Sequence, residues 1–127
     1  MTEKLKTIVT ALEDKKGQDV VVLTLKQLTP ITDYFIICTG TNTQQIRALY
    51  EHVESCLRDT GIKPLGIEGQ RGMQWVLMDY NDVMVHLFTQ ETRDYYKIER
   101  LWLDAPRISI EGQGDEKNKG YKKCLDI

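Results

Sequence analysis

The sequence predicts an α/β fold in which a mixed five-stranded sheet packs with helices. Two observations support this prediction. Segments with helical and strand-like hydrophobic spacing follow one another along the 127 residues without internal repeats. The strand-like segments are joined by a helix in one place and by a short turn in another, and these connections favour parallel and antiparallel pairs respectively. The expected order is α-β-β-α-β-β-β-α.

Chain length sets the expected domain organisation. A chain of 127 residues has room for one hydrophobic core. We therefore expect a single domain at residues 1–104. Residues 105–127 are rich in glycine and charge, which predicts a polar, mobile tail in which residues 108–110 have the character of a short strand.

The first elements are a helix and two strands. Residues 5–12 carry apolar side chains at helical spacing, and Gly17 can end this helix in the left-handed conformation. Residues 19–25 and 34–39 are apolar runs of strand length. Such continuous apolarity is typical of strands that are covered on both faces, so both should lie inside the sheet.

A second helix should follow the second strand. Asn42 and Gln45 have the spacing of a capping box, and apolar residues repeat at helical spacing through 46–57. The polar stretch 59–61 ends in glycine and can stop the helix. Residues 65–67 can then form only a short strand.

A hairpin and a third helix complete the predicted domain. Residues 68–73 contain two glycines and predict an exposed loop. The apolar runs 75–79 and 83–88 flank a three-residue polar turn, which predicts an antiparallel hairpin. Helical spacing over residues 91–102 predicts a third helix.

Charge and hydropathy exclude several classes of protein. The formal net charge is −2, which gives no general attraction to phosphate backbones, so little direct binding to nucleic acid is expected. The longest apolar runs fall far short of the roughly 18 residues that a membrane helix needs. The N-terminal residues lack the apolar block of a secretory signal, and the cysteines lack zinc-finger spacing. We expect a cytoplasmic protein without a bound metal or cofactor.

Nucleotidyl transfer is the enzymatic alternative. A strand followed by Gly40 and a helix N-terminus could cradle a triphosphate. Such enzymes also need two carboxylates at alternate positions of one strand to bind magnesium, and the sequence contains no Asp-x-Asp. Asp79 and Asp82 are the nearest substitute, but their spacing favours a role in the turn. His52 should be solvated on the second helix. For His86 the pattern favours a packed, hydrogen-bonded imidazole over a catalytic or metal-binding one, and a partner contact stays open.

Aromatic residues concentrate near the end of the predicted domain. Tyr95 and Trp102 fit the buried stripe of the third helix, with Arg93 on its polar face. Trp75 follows the glycine loop, and Tyr96 lies one position off the apolar stripe. Trp and Tyr often anchor protein interfaces, so core packing and partner binding both remain open for Trp75 and Tyr96.

Five segments, in order, resemble the ribosomal silencing factor (Iojap-like) family. They are residues 31–41 (ITDYFIICTGT), 66–69 (GIEG), 75–80 (WVLMDY), 82–88 (DVMVHLF) and 93–102 (RDYYKIERLW). The resemblance covers residues 3–104. It implies a fold related to nucleotidyltransferases without their activity, in agreement with the missing acidic pair.

The same resemblance implies a function and a partner. It implies a protein that is not an enzyme, that binds protein fourteen of the large ribosomal subunit at the intersubunit face, and that sterically blocks subunit joining when nutrients are scarce. The motif positions that combine aromatic and acidic character are the expected partner-binding residues: Glu68, Trp75, Asp79, His86, Tyr96 and Glu99. Glu99 could instead pair with Arg100 or Lys97 along its helix. A nucleotide-binding protein or active nucleotidyltransferase is the runner-up, and a homodimer when free is a third alternative.

Overall fold

The computed structural model describes residues 2–108 of the chain. The helices are α1 (Glu3–Asp14), α2 (Thr43–Arg58) and α3 (Gln90–Tyr96), and a 3₁₀ helix (Ile98–Trp102) follows α3. The strands are β1 (Gln18–Thr24), β2 (Tyr34–Gly40), β3 (Gly66–Glu68), β4 (Trp75–Asp79), β5 (Val83–Thr89) and β6 (Arg107–Ile108). The order from α1 to α3 is the predicted one.

The sheet is mixed, as predicted, but it has six strands and not five. Its order is β3-β4-β5-β2-β1-β6, with β2 and β5 parallel and the other pairs antiparallel. The additional strand is β6, whose Arg107 and Ile108 pair with Leu23 and Val22. Residues 109–127 of the predicted tail lie outside the described residues, and the domain boundary at residue 104 stays a prediction, as does the relation to nucleotidyltransferases.

Helical segments cover the two faces of the sheet unequally. The long helices α1 and α2 pack on one face and enclose the larger core cluster, whose central residues are Leu5, Ile8, Leu12, Ile36, Leu49, Val53 and Val85. The opposite face carries a smaller cluster around Leu23, Phe35, Ile37 and Phe88, covered by Ile98 of the 3₁₀ helix and by Trp102. The second face is therefore only partly covered.

The end of α1 differs from the prediction. The residue with a left-handed backbone is Lys16, with φ of 62°, and not Gly17. Gly17 has another role, because a Cβ atom at this position would overlap the Sγ atom of Cys38 in β2. Glycine is needed here for close approach of the chain to the sheet.

The capping of α2 follows the prediction with one change. The Asn42 side chain accepts a hydrogen bond from the Gln45 amide at 2.8 Å, but the Gln45 side chain accepts from the Thr41 amide at 2.6 Å and not from that of Asn42. The prediction that His52 is solvated was wrong. Its Nε2 atom lies 3.1 Å from a carboxylate oxygen of Asp14, so it joins α2 to α1.

The predicted third helix is interrupted at Lys97. This residue has φ of 44° and ψ of 48°, a left-handed conformation that ends α3 at Tyr96 and starts the 3₁₀ helix. Because of this turn, Ile98 and Trp102 face the sheet while the Tyr95 side chain is 79% exposed, so the prediction that Tyr95 is buried was wrong. No helix within residues 2–108 has the length and apolar character required to cross a membrane.

Candidate functional site

The partly covered face of the sheet carries four of the six predicted site residues. Trp75, Leu77 and Asp79 occupy every second position of β4 and so share one face. His86 of β5 lies opposite Leu77. Glu68 of β3 lies opposite the same Leu77. Because directly opposite residues on neighbouring strands project to the same side, these side chains share one face.

The chain that follows β5 brings the remaining two residues to this face. The ring of Tyr96, at the end of α3, lies 4.8 Å from the ring of Trp75, centroid to centroid. Glu99 binds Arg93, which in turn donates to the Thr39 hydroxyl at 2.7 Å. Thr39 lies on the same face of β2, since it pairs with Phe88. The predicted residues thus form one side of the molecule.

Trp75 is the centre of an aromatic cluster. Its ring centroid lies 4.9 Å from that of Phe88 beneath it. Its indole Nε1 donates a hydrogen bond of 3.1 Å to Nδ1 of His86. Trp75 is half-buried, and the adjoining Tyr96 is 52% exposed. This pair therefore presents aromatic surface to solvent from a base of packed rings, as interface anchors often do.

His86 is buried below this surface, with 4% of its area exposed. Burial lowers the pKa of its imidazole to about 4, so the ring is neutral at pH 7. Its Nδ1 accepts the hydrogen bond from Trp75, so its single proton lies on Nε2. The interpretation as a packed, hydrogen-bonded imidazole agrees with this geometry. Its role as a partner-binding residue stays a prediction.

The two acidic residues of the sheet face differ in their surroundings. Glu68 is exposed on the edge strand β3. Asp79 is half-buried, and its Oδ1 accepts from the Asn81 backbone amide at 2.8 Å, within the turn between β4 and β5. The expected role of Asp79 in the turn is confirmed, and one side of the site has acidic character.

Glu99 is held by Arg93. Lys97 and Arg100, which the sequence suggested as alternative partners, do not bind it in this structure. Arg93 donates to both carboxylate oxygens, from Nε at 3.1 Å and from an Nη atom at 2.7 Å. These hydrogen bonds lower the pKa of the Glu99 carboxyl group. Arg93 also donates to the Asp19 carbonyl at 2.9 Å, so it ties the segment after β5 to β1 and β2.

Sequence reasoning missed Arg93 and two apolar residues of the site. Arg93 was expected on the polar face of a helix, but it is 8% exposed. Leu77 and Met84 are half-buried on the same face of the sheet, Leu77 opposite His86 and Met84 opposite Asp79. The period of two along β4 and β5 could have identified both positions, since residues two apart on a strand share one face. Leu77 is two residues from Trp75, and Met84 is two residues from His86.

The residues of the enzymatic alternative lie far apart. Gly40 pairs with Thr89 at one end of the parallel strands, whereas Asp79 pairs with Met84, which is opposite Phe35 at the other end. The five-residue separation along β2 corresponds to roughly 17 Å. Within residues 2–108, no three His, Cys, Asp or Glu residues are grouped as a metal site would require. Asp79 therefore lies too far from Gly40 to bind a magnesium ion on a triphosphate held at Gly40.

Known proteins are similar to this chain in sequence and in structure. Residues 1–124 match the family model described as ribosomal silencing factor during starvation. A protein of Halalkalibacterium halodurans named ribosomal silencing factor RsfS is 39% identical over 110 residues, 87% of this chain and 94% of that protein. A crystal structure of a protein from Chromobacterium violaceum has a TM-score of 0.78 at 38% identity and covers 84% of this chain and 88% of that chain.

A mouse protein extends the similarity beyond bacteria. It is named mitochondrial assembly of ribosomal large subunit protein 1 and is 31% identical over 102 residues, 75% of this chain and 43% of the mouse protein. The bacterial relative covers almost the full length of both chains, and the family model covers nearly all of this one. The resemblance found in the sequence is thereby confirmed, and the chain belongs to the ribosomal silencing factor family.

Proposed function

We propose that this protein binds the large ribosomal subunit through the partly covered face of its sheet and so prevents the small subunit from joining. The observation that carries this proposal is the Trp75 and Tyr96 pair, which is exposed to solvent yet fixed on packed rings. Membership of a silencing-factor family supports the ribosomal role, and the name of the mouse relative refers to the large subunit.

The partner on the subunit would be ribosomal protein fourteen, as the family resemblance implies. Apolar surface at Leu77 and Met84 adjoins the acidic residues, since Leu77 is opposite Glu68 and Met84 is opposite Asp79. A basic ribosomal protein with an apolar patch would complement such a surface. Binding of this kind requires no attraction to ribosomal RNA, which suits a net charge of −2.

Steric silencing requires affinity and bulk but no catalytic group. The protein must occupy its site on the large subunit in competition with the small subunit. Each 1.4 kcal/mol of binding free energy changes its affinity, and so the outcome of this competition, about tenfold. We therefore propose that the protein is a translational repressor in the cytoplasm and not an enzyme. Repression under nutrient limitation is part of the same proposal.

Co-sedimentation with isolated bacterial large subunits tests the binding. Trp75→Ala and Tyr96→Ala should each weaken it by more than about 1 kcal/mol, the usual threshold for an anchor residue. The control is Arg47→Ala, an exposed position on α2 in the opposite layer, which should bind as the wild type does. Melting curves must show that the variants fold. Unchanged binding by both folded aromatic variants would contradict the proposed surface.

Subunit joining and partner identity need separate measurements. The wild type should reduce formation of complete ribosomes from purified subunits in a sucrose gradient, and free protein fourteen should compete for it. A wild-type protein that binds large subunits yet leaves joining unaffected would contradict steric silencing. Calorimetry with magnesium and ATP tests the enzymatic alternative, which predicts saturable binding. Size-exclusion chromatography before and after addition of large subunits tests for a homodimer when free.

A further inference from the structure

We infer that His86 is a positioning residue: it fixes the Trp75 indole in the orientation that docks on the partner and does not contact the partner itself. This inference rests on the proposed function and deepens it. It assigns the rigidity of the docking surface to one buried imidazole, in contrast to the direct contact that the sequence suggested.

Rings on several sides hold the imidazole in place. The His86 ring is stacked on that of Phe88, with centroids 5.9 Å apart and an angle of 7° between the planes. Phe35 of the parallel strand β2 lies 4.5 Å from it, centroid to centroid. With its χ angles fixed by this packing, Nδ1 is a stationary acceptor 3.1 Å from the Trp75 Nε1 atom.

The hydrogen bond between Trp75 and His86 can form in one direction only, with the indole as donor and the imidazole as acceptor. An indole N–H can only donate, so a neutral imidazole with a free Nδ1 accepts from it while a protonated one cannot. The remaining proton, on Nε2, has no hydrogen-bond partner among the described residues although the atom is buried. An unsatisfied buried donor destabilises a fold, whereas a phenylalanine would fill the same space without it. The hydrogen bond to Trp75 is therefore a contribution of this imidazole that packing alone would not require.

Fixing the indole matters because Trp75 is half-buried at the edge of the cluster. Without the hydrogen bond, the ring could turn about its side-chain torsions towards solvent and lose its contact with Tyr96. Binding would then have to order the ring again, and such ordering weakens affinity. A pre-oriented anchor avoids this loss, chiefly by slowing dissociation.

Three variants separate the acceptor from the shape of the side chain. His86→Phe keeps an aromatic ring but removes the acceptor. His86→Asn and His86→Leu have nearly the same shape as each other, and only Asn offers an acceptor close to the position of Nδ1. If His86→Phe does not fold, the Asn and Leu pair answers the same question.

The first readout is independent of the ribosome. The protein has two tryptophans, so its NMR spectrum should contain two indole N–H resonances, and Trp102→Phe assigns them. In His86→Phe and His86→Leu the Trp75 resonance should move, and its exchange with solvent should accelerate at least about tenfold. In His86→Asn, the position and protection of this resonance should stay close to those of the wild type.

The second readout is binding to isolated large ribosomal subunits. His86→Phe and His86→Leu should bind about tenfold more weakly, which corresponds to about 1.4 kcal/mol, and His86→Asn should stay within about threefold of the wild type. An unchanged Trp75 resonance in His86→Phe and His86→Leu overturns the inference, because the imidazole would not hold the indole. A moved resonance with unchanged binding also overturns it but leaves the proposed function intact. If the wild type does not bind subunits, the proposed function falls and the docking role falls with it, whatever the spectrum shows.

Discussion

Gly69 lies in the loop that joins β3 to β4, and replacing it should disturb the docking surface at Trp75. Gly69 has φ of +89°, a left-handed backbone, and a Cβ atom at this position would overlap the carbonyl oxygen of Trp75. Two other glycines provide matched controls. Gly61 has a similar φ of +85° with nothing within 4 Å of an added Cβ, and Gly72 has open space without a left-handed backbone.

The series separates backbone strain from steric overlap. Gly72→Ala should change the free energy of unfolding by no more than about 0.5 kcal/mol. Gly61→Ala should lower it by about 1 kcal/mol, because an L-residue is strained in the left-handed conformation. Gly69→Ala carries the same strain and must also move the start of β4, which adds about 1 to 3 kcal/mol. We expect a total loss of about 2 to 4 kcal/mol and a fall in Tm of roughly 4 °C for each kcal/mol.

Urea unfolding followed by circular dichroism measures these losses, and tryptophan fluorescence of the folded state reports the movement at Trp75. We expect the emission to change in Gly69→Ala and to stay constant in Gly61→Ala and Gly72→Ala. Equal stability of Gly69→Ala and Gly61→Ala would refute the reasoning, because it would mean that the loop can move away from Trp75 without loss.

Three further predictions concern other buried contacts. Arg93→Ala should lower the free energy of unfolding by about 3 kcal/mol, because it leaves the partly buried Glu99 carboxylate unpaired. The control Arg100→Ala, at an exposed position, should change it by no more than about 0.5 kcal/mol. Equal losses of stability in urea unfolding would contradict this prediction. Between pH 6.5 and 4 the unfolded protein takes up a proton at His86 and the folded protein does not, because the pKa falls from 6.5 to about 4 on folding. Stability should therefore decline as pH falls through this window, by about 3 kcal/mol more in the wild type than in His86→Phe, and parallel pH profiles of the two proteins would be inconsistent with a buried neutral imidazole. Finally, Gly17→Ala should destabilise the wild type by about 1 kcal/mol more than it destabilises Cys38→Ala, since only the wild type has a Sγ atom in the way; an equal effect in both backgrounds would argue against this contact.

The elements that sequence analysis predicted are those stabilised by local patterns. The apolar residues of α1 and α2 recur at helical spacing, and the hairpin of β4 and β5 has its own turn, so each could be identified without its neighbours. The strand β6 was anticipated only in part, because the strand-like segment 108–110 overlaps it at Ile108 alone and residues 109 and 110 lie outside the described residues. It contains two residues, and its existence depends on pairing with Leu23 and Val22, which are remote in sequence.

The candidate site was predictable in its members more than in its arrangement. The family motifs and the mixture of aromatic and acidic residues selected Trp75 and Tyr96, and the structure brings their rings together. Sequence spacing gave no indication that His86 would lie under Trp75, because this depends on the register of two strands. The burial of Arg93 was equally hidden, since its partners are Thr39, Asp19 and Glu99.

The break at Lys97 explains why this face of the sheet remains partly open. On a continuous helix, Arg93 and Glu99 would be separated by about 9 Å along the axis and by roughly 120° around it, so they could not form their two-pronged ion pair. The left-handed turn at Lys97 brings them together and directs the 3₁₀ helix over Phe35, where Trp102 packs with a centroid distance of 6.1 Å. The strained turn is thus offset by contacts formed only after the chain has changed direction. Because the covering segment passes over β2 in this way, the β4 side of the sheet keeps its aromatic and apolar residues within reach of a partner.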